Sequence, residues 1–85
     1  MHTVLETPSF AKSIKDQGLS EDERFEIVST ISKNPQIGDL IKGTGGARKV
    51  RFGGKGKGKS SAFRVVTYYA ADDVPVFLLD LYEIG

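Results

Sequence analysis

The sequence predicts an α+β domain in which two N-terminal helices pack on an antiparallel sheet, in the element order β-α-α-β-β-β. Two patterns predict this class. Apolar residues between positions 8 and 34 recur three and four apart, as on one face of a helix, whereas residues 47–83 form runs rich in aromatic and β-branched side chains. A chain of 85 residues supports a single domain, here residues 1–85. Strands that follow one another through short links usually pair antiparallel, which leaves one face of the sheet for the helices.

The first strand and helix are marked by local residue choices. Residues 2–6 suit a short strand, and Thr7-Pro8 follows them as a helix start. A threonine side chain caps a free backbone N–H, and proline fits the first helical position because no N–H is needed there. Gly18 is expected to end this helix.

The second helix has a stronger start signal. Ser20 and Glu23 have the spacing of a capping box, in which each side chain bonds the backbone N–H of the other residue. Asn34-Pro35 is expected to end the helix, because proline cannot continue it. The spacing predicts a buried stripe formed by Phe25, Ile27, Val28 and Ile31.

Three strands are predicted after a loop at residues 36–46, namely residues 47–52, 61–69 and 75–83. Side chains alternate between the two faces of a strand, and a buried arginine is costly, so Arg64 is assigned to the face away from the helices, the open face. The open face then carries Lys49, Arg51, Arg64, Val66, Tyr68, Leu78, Asp80 and Tyr82. The helix side receives Val50, Phe52, Phe63, Val65, Tyr69, Phe77, Leu79 and Leu81, and Arg48 is expected to leave the core at the end of its strand.

The charge distribution is more informative than the net charge of +1. Residues 42–64 hold eight of the twelve lysines and arginines and no acidic residue, whereas residues 1–41 carry a net −3 and residues 65–85 a net −4. A cationic centre between anionic flanks attracts polyanions, and each phosphate contact would make binding salt-dependent.

Composition excludes several functional classes. Without cysteine the chain has no disulfide, zinc–thiolate site or cysteine nucleophile, and His2, the single histidine, has no predicted partner. No apolar run approaches the roughly 20 residues of a membrane span, and no secretory signal is seen, so a cytoplasmic protein without membrane contact is predicted. We expect neither a metal nor another cofactor.

A phosphate-loop pattern is present without its structural context. Residues 53–60 fit Gly-x-x-x-x-Gly-Lys-Ser. That loop binds nucleotide phosphates only when a helix follows it, because the helix N-terminus supplies N–H groups. Here residues 61–69 predict a strand, so no nucleotide cofactor is expected. Lys55, Lys57 and Lys59 are interpreted as contacts for a polyanion backbone.

A longer set of motifs covers nearly the whole chain, from Thr3 to Tyr82. These motifs are Thr7-Pro8-x-Phe10, Asn34-Pro35-x-x-Gly38-Asp39-x-Ile41-x-Gly43-Thr44-Gly45-Gly46-x-Arg48-Lys49-x-Arg51, Gly56-Lys57-Gly58-Lys59-Ser60 and Arg64-Val65-Val66-x-Tyr68-Tyr69. Together they resemble the RelE/HigB-type toxins of bacterial type II toxin–antitoxin modules, in the RelE/ParE superfamily. The run from Asn34 to Arg51 is specific to this resemblance, whereas the glycine–lysine stretch alone is not.

The resemblance implies a RelE-like fold and a metal-independent endoribonuclease that cuts mRNA in the ribosomal A site. Such toxins use the RNA's own 2′-hydroxyl as nucleophile, and a cognate antitoxin protein neutralises them. The implied catalytic residues here are Lys49, Arg51, Arg64 and Tyr82, and the implied RNA-binding residues are Arg48, Lys55, Lys57 and Lys59. Arg64 is the best candidate to stabilise charge on the phosphorane. For Tyr82 two roles are open, stacking on a base or packing against its strand neighbours.

The sequence departs from the family pattern near its C-terminal end. Family members commonly continue with Tyr-x-Lys and a further helix, whereas Ile84 stands here where that lysine is usual. Loss of the lysine would weaken catalysis, so a ribosome- or RNA-binding relic of the same fold is the alternative. A gyrase-poisoning, ParE-like toxin is a further alternative, although that branch does not need the basic open-face residues.

Overall fold

The computed structural model describes residues 1–53 and 62–84, which form two layers, one helical and one a sheet. The element order is β1 (Val4–Glu6), α1 (Pro8–Asp16), α2 (Glu21–Lys33), β2 (Asp39–Leu40), β3 (Ala47–Gly53), β4 (Ala62–Tyr68) and β5 (Val76–Glu83). The predicted α+β class with two N-terminal helices is confirmed. Neither helix in this described part of the chain is long and apolar enough to cross a membrane.

Both helices begin where the local sequence predicts. The Thr7 hydroxyl accepts a hydrogen bond from the Phe10 N–H at 3.2 Å and donates one to the Leu78 carbonyl of β5 at 2.8 Å. Ser20 and Glu23 form a complete capping box on α2, with hydrogen bonds of 3.1 and 2.7 Å. The cap of α1 therefore also ties that helix to the sheet.

The five strands form one sheet in the order β1-β5-β4-β3-β2. The strands β3, β4 and β5 are antiparallel neighbours as predicted, but β1 pairs parallel to β5. The prediction of a wholly antiparallel sheet is therefore wrong at this edge. Parallel strands need a long connection, and here all the elements between β1 and β5 provide it.

A short additional strand lies in the segment that the sequence predicts as a loop. Asp39 and Leu40 of β2 pair with Lys49 and Arg48 of β3. Gly38 permits this approach, because its φ is +97° and a Cβ atom there would lie only 2.6 Å from the Lys49 carbonyl oxygen. The order is therefore β-α-α-β-β-β-β. Two residues are too few to show an alternating pattern, which is why the sequence does not reveal this strand.

The core lies between the helices and the sheet. Its buried cluster consists of Phe10, Ile14, Ile27, Ile31, Val65, Tyr69, Val76, Leu78 and Leu81. Phe25 is predicted to join this core, but it is 72% exposed, and that prediction is wrong. Ile27 and Ile31, four residues apart, occupy the buried face of α2, and Phe25 lies on the side of the helix opposite Ile27.

A β-bulge in β5 interrupts the regular alternation of side chains. Val66 of β4 is opposite Asp80, whereas the next residue, Thr67, is opposite Leu78. The strand β5 therefore holds one extra residue at this point, and the alternation is reset on its far side.

The bulge corrects the predicted faces of β5. Val76 and Leu78 are buried on the helix side at 0% exposure, so Phe77 between them lies on the open face. The sequence predicts the opposite for Phe77 and Leu78. Leu79, also predicted to lie in the core, is half-buried and outside the core cluster. Beyond the bulge, Leu81 is buried and Tyr82 lies on the open face, as predicted.

Candidate functional site

Three strands each place one side chain in a row across the open face. Arg51 of β3 is directly opposite Arg64 of β4, and Arg64 is directly opposite Tyr82 of β5. Val65 and Leu81, their chain neighbours on β4 and β5, are buried against the helices at 0% and 2% exposure, so Arg64 and Tyr82 point the other way. Directly opposite residues have Cβ atoms about 4.5–5.5 Å apart. The three side chains therefore form one continuous surface, the arginine row.

The two arginines of this row face each other without a balancing carboxylate. Neither the Arg51 nor the Arg64 side chain makes a hydrogen bond or an ion pair within residues 1–53 and 62–84. Like charges directly opposite each other destabilise a strand pair, so the arrangement does not serve the fold. An anion between the two guanidinium groups would remove the repulsion and accept bidentate hydrogen bonds from both.

The arginine row is open to a ligand along its length. Arg51 is exposed, Arg64 is half-buried between its neighbours, and Tyr82 is 42% exposed at the end of the row. A half-buried guanidinium attracts an anion more strongly than a fully solvated one, because less water screens its charge. Arg64 is therefore the strongest candidate for holding an anion.

Lys49 extends the positive surface along β3. It lies two residues before Arg51 and shares its face, and it is exposed. On the β2 side it is directly opposite Asp39. The sequence does not identify Asp39 as a site neighbour, because only the unpredicted strand β2 brings it there. Lys49 thus has an acidic neighbour at a paired position, whereas the arginine row has none.

Arg48 lies on the helix side of the sheet, not with the other cations. Its guanidinium carbon is 5.9 Å from the centre of the Tyr69 ring, a cation–π contact, and its Nη1 is buried without a hydrogen-bond partner among the described residues. The predicted escape of this side chain at the strand end is therefore wrong. Arg48 therefore lies on the opposite face of the sheet from Arg51 and Arg64.

Tyr69 organises a cluster on the helix side, where it is buried as predicted. Its hydroxyl donates a hydrogen bond to the Asp72 carboxylate, and this bond, together with burial, raises the pKa of Tyr69 above its ordinary value of 10.0, while Arg48 has a smaller opposite effect. The His2 ring meets the Tyr69 ring edge-on with centroids 5.0 Å apart, and His2 Nε2 lies 2.7 Å from the Val74 carbonyl oxygen. The prediction that His2 has no partner is wrong, and these contacts hold the start of the chain against the connection between β4 and β5.

Asp80 is withdrawn from the open face, where simple alternation predicts it. Its Oδ1 accepts hydrogen bonds from the Ser13 hydroxyl of α1 at 2.7 Å and from the Leu81 N–H at 2.8 Å. The β-bulge accounts for this, since Asp80 is next to Leu79, the residue that has no partner in the register. The charge of this carboxylate is therefore directed to α1 and does not offset the arginine row.

The remaining predicted RNA contacts, Lys55, Lys57 and Lys59, lie outside the described residues. The two ends of the described chain at this point, Gly53 and Ala62, pair with each other at the end of the sheet nearest the arginine row.

In the described ranges, no three His, Asp or Glu side chains are grouped so as to hold a metal ion. No protein-family model matches this chain.

Proposed function

We propose that this protein is a ribosome-dependent mRNA endonuclease, the toxin of a toxin–antitoxin module, and that the arginine row binds the phosphate to be cleaved. The observation that carries the proposal is the direct pairing of Arg51 with Arg64 beside Tyr82 on an open sheet face. Two guanidinium groups at this spacing suit a phosphate, and a neighbouring phenol ring suits a base. The sequence motifs favour the same chemistry independently of this geometry. Its partners in this proposal are the ribosome, mRNA and a cognate antitoxin.

The proposed reaction uses groups that RNA itself supplies. The 2′-oxygen gives its proton to solvent water and bonds to the adjacent phosphorus, while the bond from phosphorus to the 5′-oxygen breaks and that oxygen takes up a proton from solvent water. The products are a 2′,3′-cyclic phosphate and a 5′-hydroxyl end. Arg64, at the centre of the row, stabilises the negative charge that develops on the phosphorane, and Arg51 does so from its β3 side. Lys49 adds to the field that draws the RNA backbone to the face.

RNA or ribosome binding without cleavage is the second candidate function. It is favoured by the composition of the arginine row, because arginine side chains stay protonated in proteins. Two guanidinium groups therefore hold a phosphate without accepting the proton of the 2′-hydroxyl. On this alternative the same face binds RNA and leaves the message intact.

The test is primer extension on purified ribosomes stalled on a defined message. Wild-type protein would be compared with Arg64→Ala, Arg64→Lys and Lys33→Ala. Lys33 is an exposed cation in the last turn of α2, so its loss changes the net charge equally without touching the open face. We expect cuts at the A-site codon by wild type and Lys33→Ala, at least a roughly 10²-fold slower cleavage by Arg64→Ala, and an intermediate rate for Arg64→Lys, which keeps the charge but not the planar fork.

Each result has a distinct meaning. Wild-type cleavage by Arg64→Ala would contradict the proposed role of the arginine row. An intact message despite co-sedimentation of the wild-type protein with ribosomes would support binding without cleavage. Inhibition of gyrase supercoiling with no effect on ribosome-bound mRNA would favour the ParE-like alternative.

A further inference from the structure

A second row of side chains crosses the open face and is apolar. Leu5 of β1 pairs with Phe77 of β5, Phe77 with Tyr68 of β4, and Tyr68 with Ala47 of β3. We call these four residues the aromatic row, after the two rings at its centre. Both rows consist of directly opposite residues on neighbouring strands, so the aromatic row runs parallel to the arginine row.

The faces of these side chains follow from their buried neighbours. Phe77 lies between Val76 and Leu78, which are both fully buried on the helix side, and its half-buried ring therefore lies on the open face. Tyr68 follows the buried Thr67 in the same way. Leu5 at the outer end is 45% exposed, so the apolar surface continues to the edge of the sheet.

The β2–β3 loop borders the Tyr68 ring. Gly46 has φ of +142°, and a Cβ atom built at this glycine would lie 3.5 Å from Tyr68 Cε1. The loop therefore lies against one edge of the ring while the ring stays half-buried, not covered. The loop restricts the movement of the ring on this side, and an aromatic ring with an accessible face suits stacking by a planar ligand.

The two rows are parts of one surface. Tyr68 lies four residues beyond Arg64 on β4, a distance of about 13 Å along the strand. Val66 lies between them on the same face and is half-buried. Tyr82 places one aromatic ring at the end of the arginine row. Phe77 and Tyr68 of the aromatic row place two more rings about 13 Å away along the strands, so rings flank Arg51 and Arg64 on two sides.

We propose that the aromatic row is a base-stacking platform, and that single-stranded RNA crosses the open face with its phosphates on the cations and its flanking bases on Phe77 and Tyr68. This inference rests on the proposed function and extends the site beyond the cleaved phosphate. Charge complementarity commits the face to a polyanion, since Arg51 and Arg64 make no ion pair in the described part of the chain. Sheet faces that bind single-stranded RNA combine aromatic rings with backbone-binding cations in this manner.

Base stacking on a ring predicts an affinity that depends on the bases as well as on the phosphates. The probe is a short, fluorescently labelled, 2′-O-methylated single-stranded RNA, which lacks the nucleophile for cleavage, and the same strand with abasic sugars. The full chain would be titrated with each probe by fluorescence anisotropy. Wild-type protein is expected to bind the base-containing strand at least about 5-fold more tightly, since one stacked base alone contributes about 5- to 150-fold.

Two ring variants and a matched control separate the platform from general effects. Phe77→Leu and Tyr68→Leu keep apolar bulk but remove a ring, and each is expected to lower affinity for the base-containing strand and leave the abasic strand unaffected. Phe25→Leu is the control, because Phe25 is an exposed ring on α2, away from the open face. It should change neither affinity. Arg64→Ala should weaken both strands and flatten the salt dependence.

The outcomes separate this inference from the proposed function. Equal binding of both strands by wild type, or an unchanged preference in both ring variants, would overturn the platform even if Arg64-dependent cleavage on ribosomes stands. A preference lost in Phe77→Leu would support the platform even if no message is cut. Sedimentation would show whether the wild-type protein self-associates. If it does, and if Phe77→Leu loses this self-association while binding RNA as wild type does, the platform is overturned and the aromatic row is a protein contact.

Discussion

Replacing Thr67 by valine should raise the free energy of unfolding of this protein. The Thr67 side chain is 1% exposed on the helix side of β4, and its hydroxyl has no hydrogen-bond partner among the described residues. Valine keeps the branched shape and the preference for strands while removing the polar atom. The substitution therefore tests whether this hydroxyl opposes folding.

The expected gain follows from the desolvation of the hydroxyl. A buried hydroxyl without a hydrogen bond costs about 1–3 kcal/mol, and a methyl in its place contributes about 0.8 kcal/mol of burial. Arg48 lies directly opposite on β3, and its buried Nη1 also has no hydrogen-bond partner among the described residues. Valine removes the Thr67 hydroxyl dipole from the neighbourhood of this charge, and that loss offsets part of the gain. We expect a net increase of about 1–2 kcal/mol, which corresponds to a rise in Tm of about 4–16 °C for a domain of this size.

The measurement is urea unfolding followed by circular dichroism, with thermal melts alongside. For Thr67→Val the midpoint should rise with an unchanged m-value. Thr44→Val is the matched control, because the Thr44 hydroxyl donates to the Ile41 carbonyl at 2.6 Å and accepts from the Ala47 N–H at 3.0 Å. The control should lose about 1–2 kcal/mol. An unchanged or lower midpoint for Thr67→Val would refute the reasoning, since the hydroxyl must then have a partner that valine cannot replace.

Two further predictions concern the backbone and pH. Gly38→Ala should lower the free energy of unfolding by at least about 2 kcal/mol, because its φ is +97° and the new Cβ would lie 2.6 Å from the Lys49 carbonyl oxygen. Gly18→Ala, with φ of +72° and nothing within 4 Å, should lose only about 1 kcal/mol, and equal losses in urea unfolding would contradict the close-contact explanation. The raised pKa of Tyr69 contributes stability that is present in full below pH about 10 and is lost as pH rises through the folded pKa. Urea midpoints above that pH should therefore fall less steeply for Tyr69→Phe than for wild type, and parallel pH profiles would count against this assignment.

The sequence is sufficient where a single short-range interaction decides the structure. Thr7 and Ser20 cap the two helices as predicted, because a cap depends only on the residues of the first turn. The high cost of burying a guanidinium places Arg64 on the open face, and strand alternation then places Arg51 there as well. The sequence therefore predicts that Arg51 and Arg64 share one face of the sheet. That they are directly opposite each other follows only from the register of β3 and β4, which the structure supplies.

The sequence is insufficient where two local solutions fit equally well. The run from Val76 to Leu79 is apolar at every position, so nothing in it reveals the bulge that turns Phe77 outward. On α2, Phe25 and Ile27 both fit a helical stripe, and only packing against the sheet selects Ile27. Arg48 remains on the helix side because its long stem reaches the Tyr69 ring, a contact between residues far apart in sequence.

The interior position of β5 in the sheet determines when this protein can fold during its own synthesis. The strand is the last described one in the sequence, yet it lies between β1 and β4 and supplies Val76, Leu78 and Leu81 to the core. Contacts between distant parts of a chain form slowly, because a large loop must close first. A nascent chain that lacks β5 leaves the edges of β1 and β4 unpaired and the apolar faces of both helices uncovered. The arginine row is therefore completed only after Tyr82 has emerged from the ribosome that makes it.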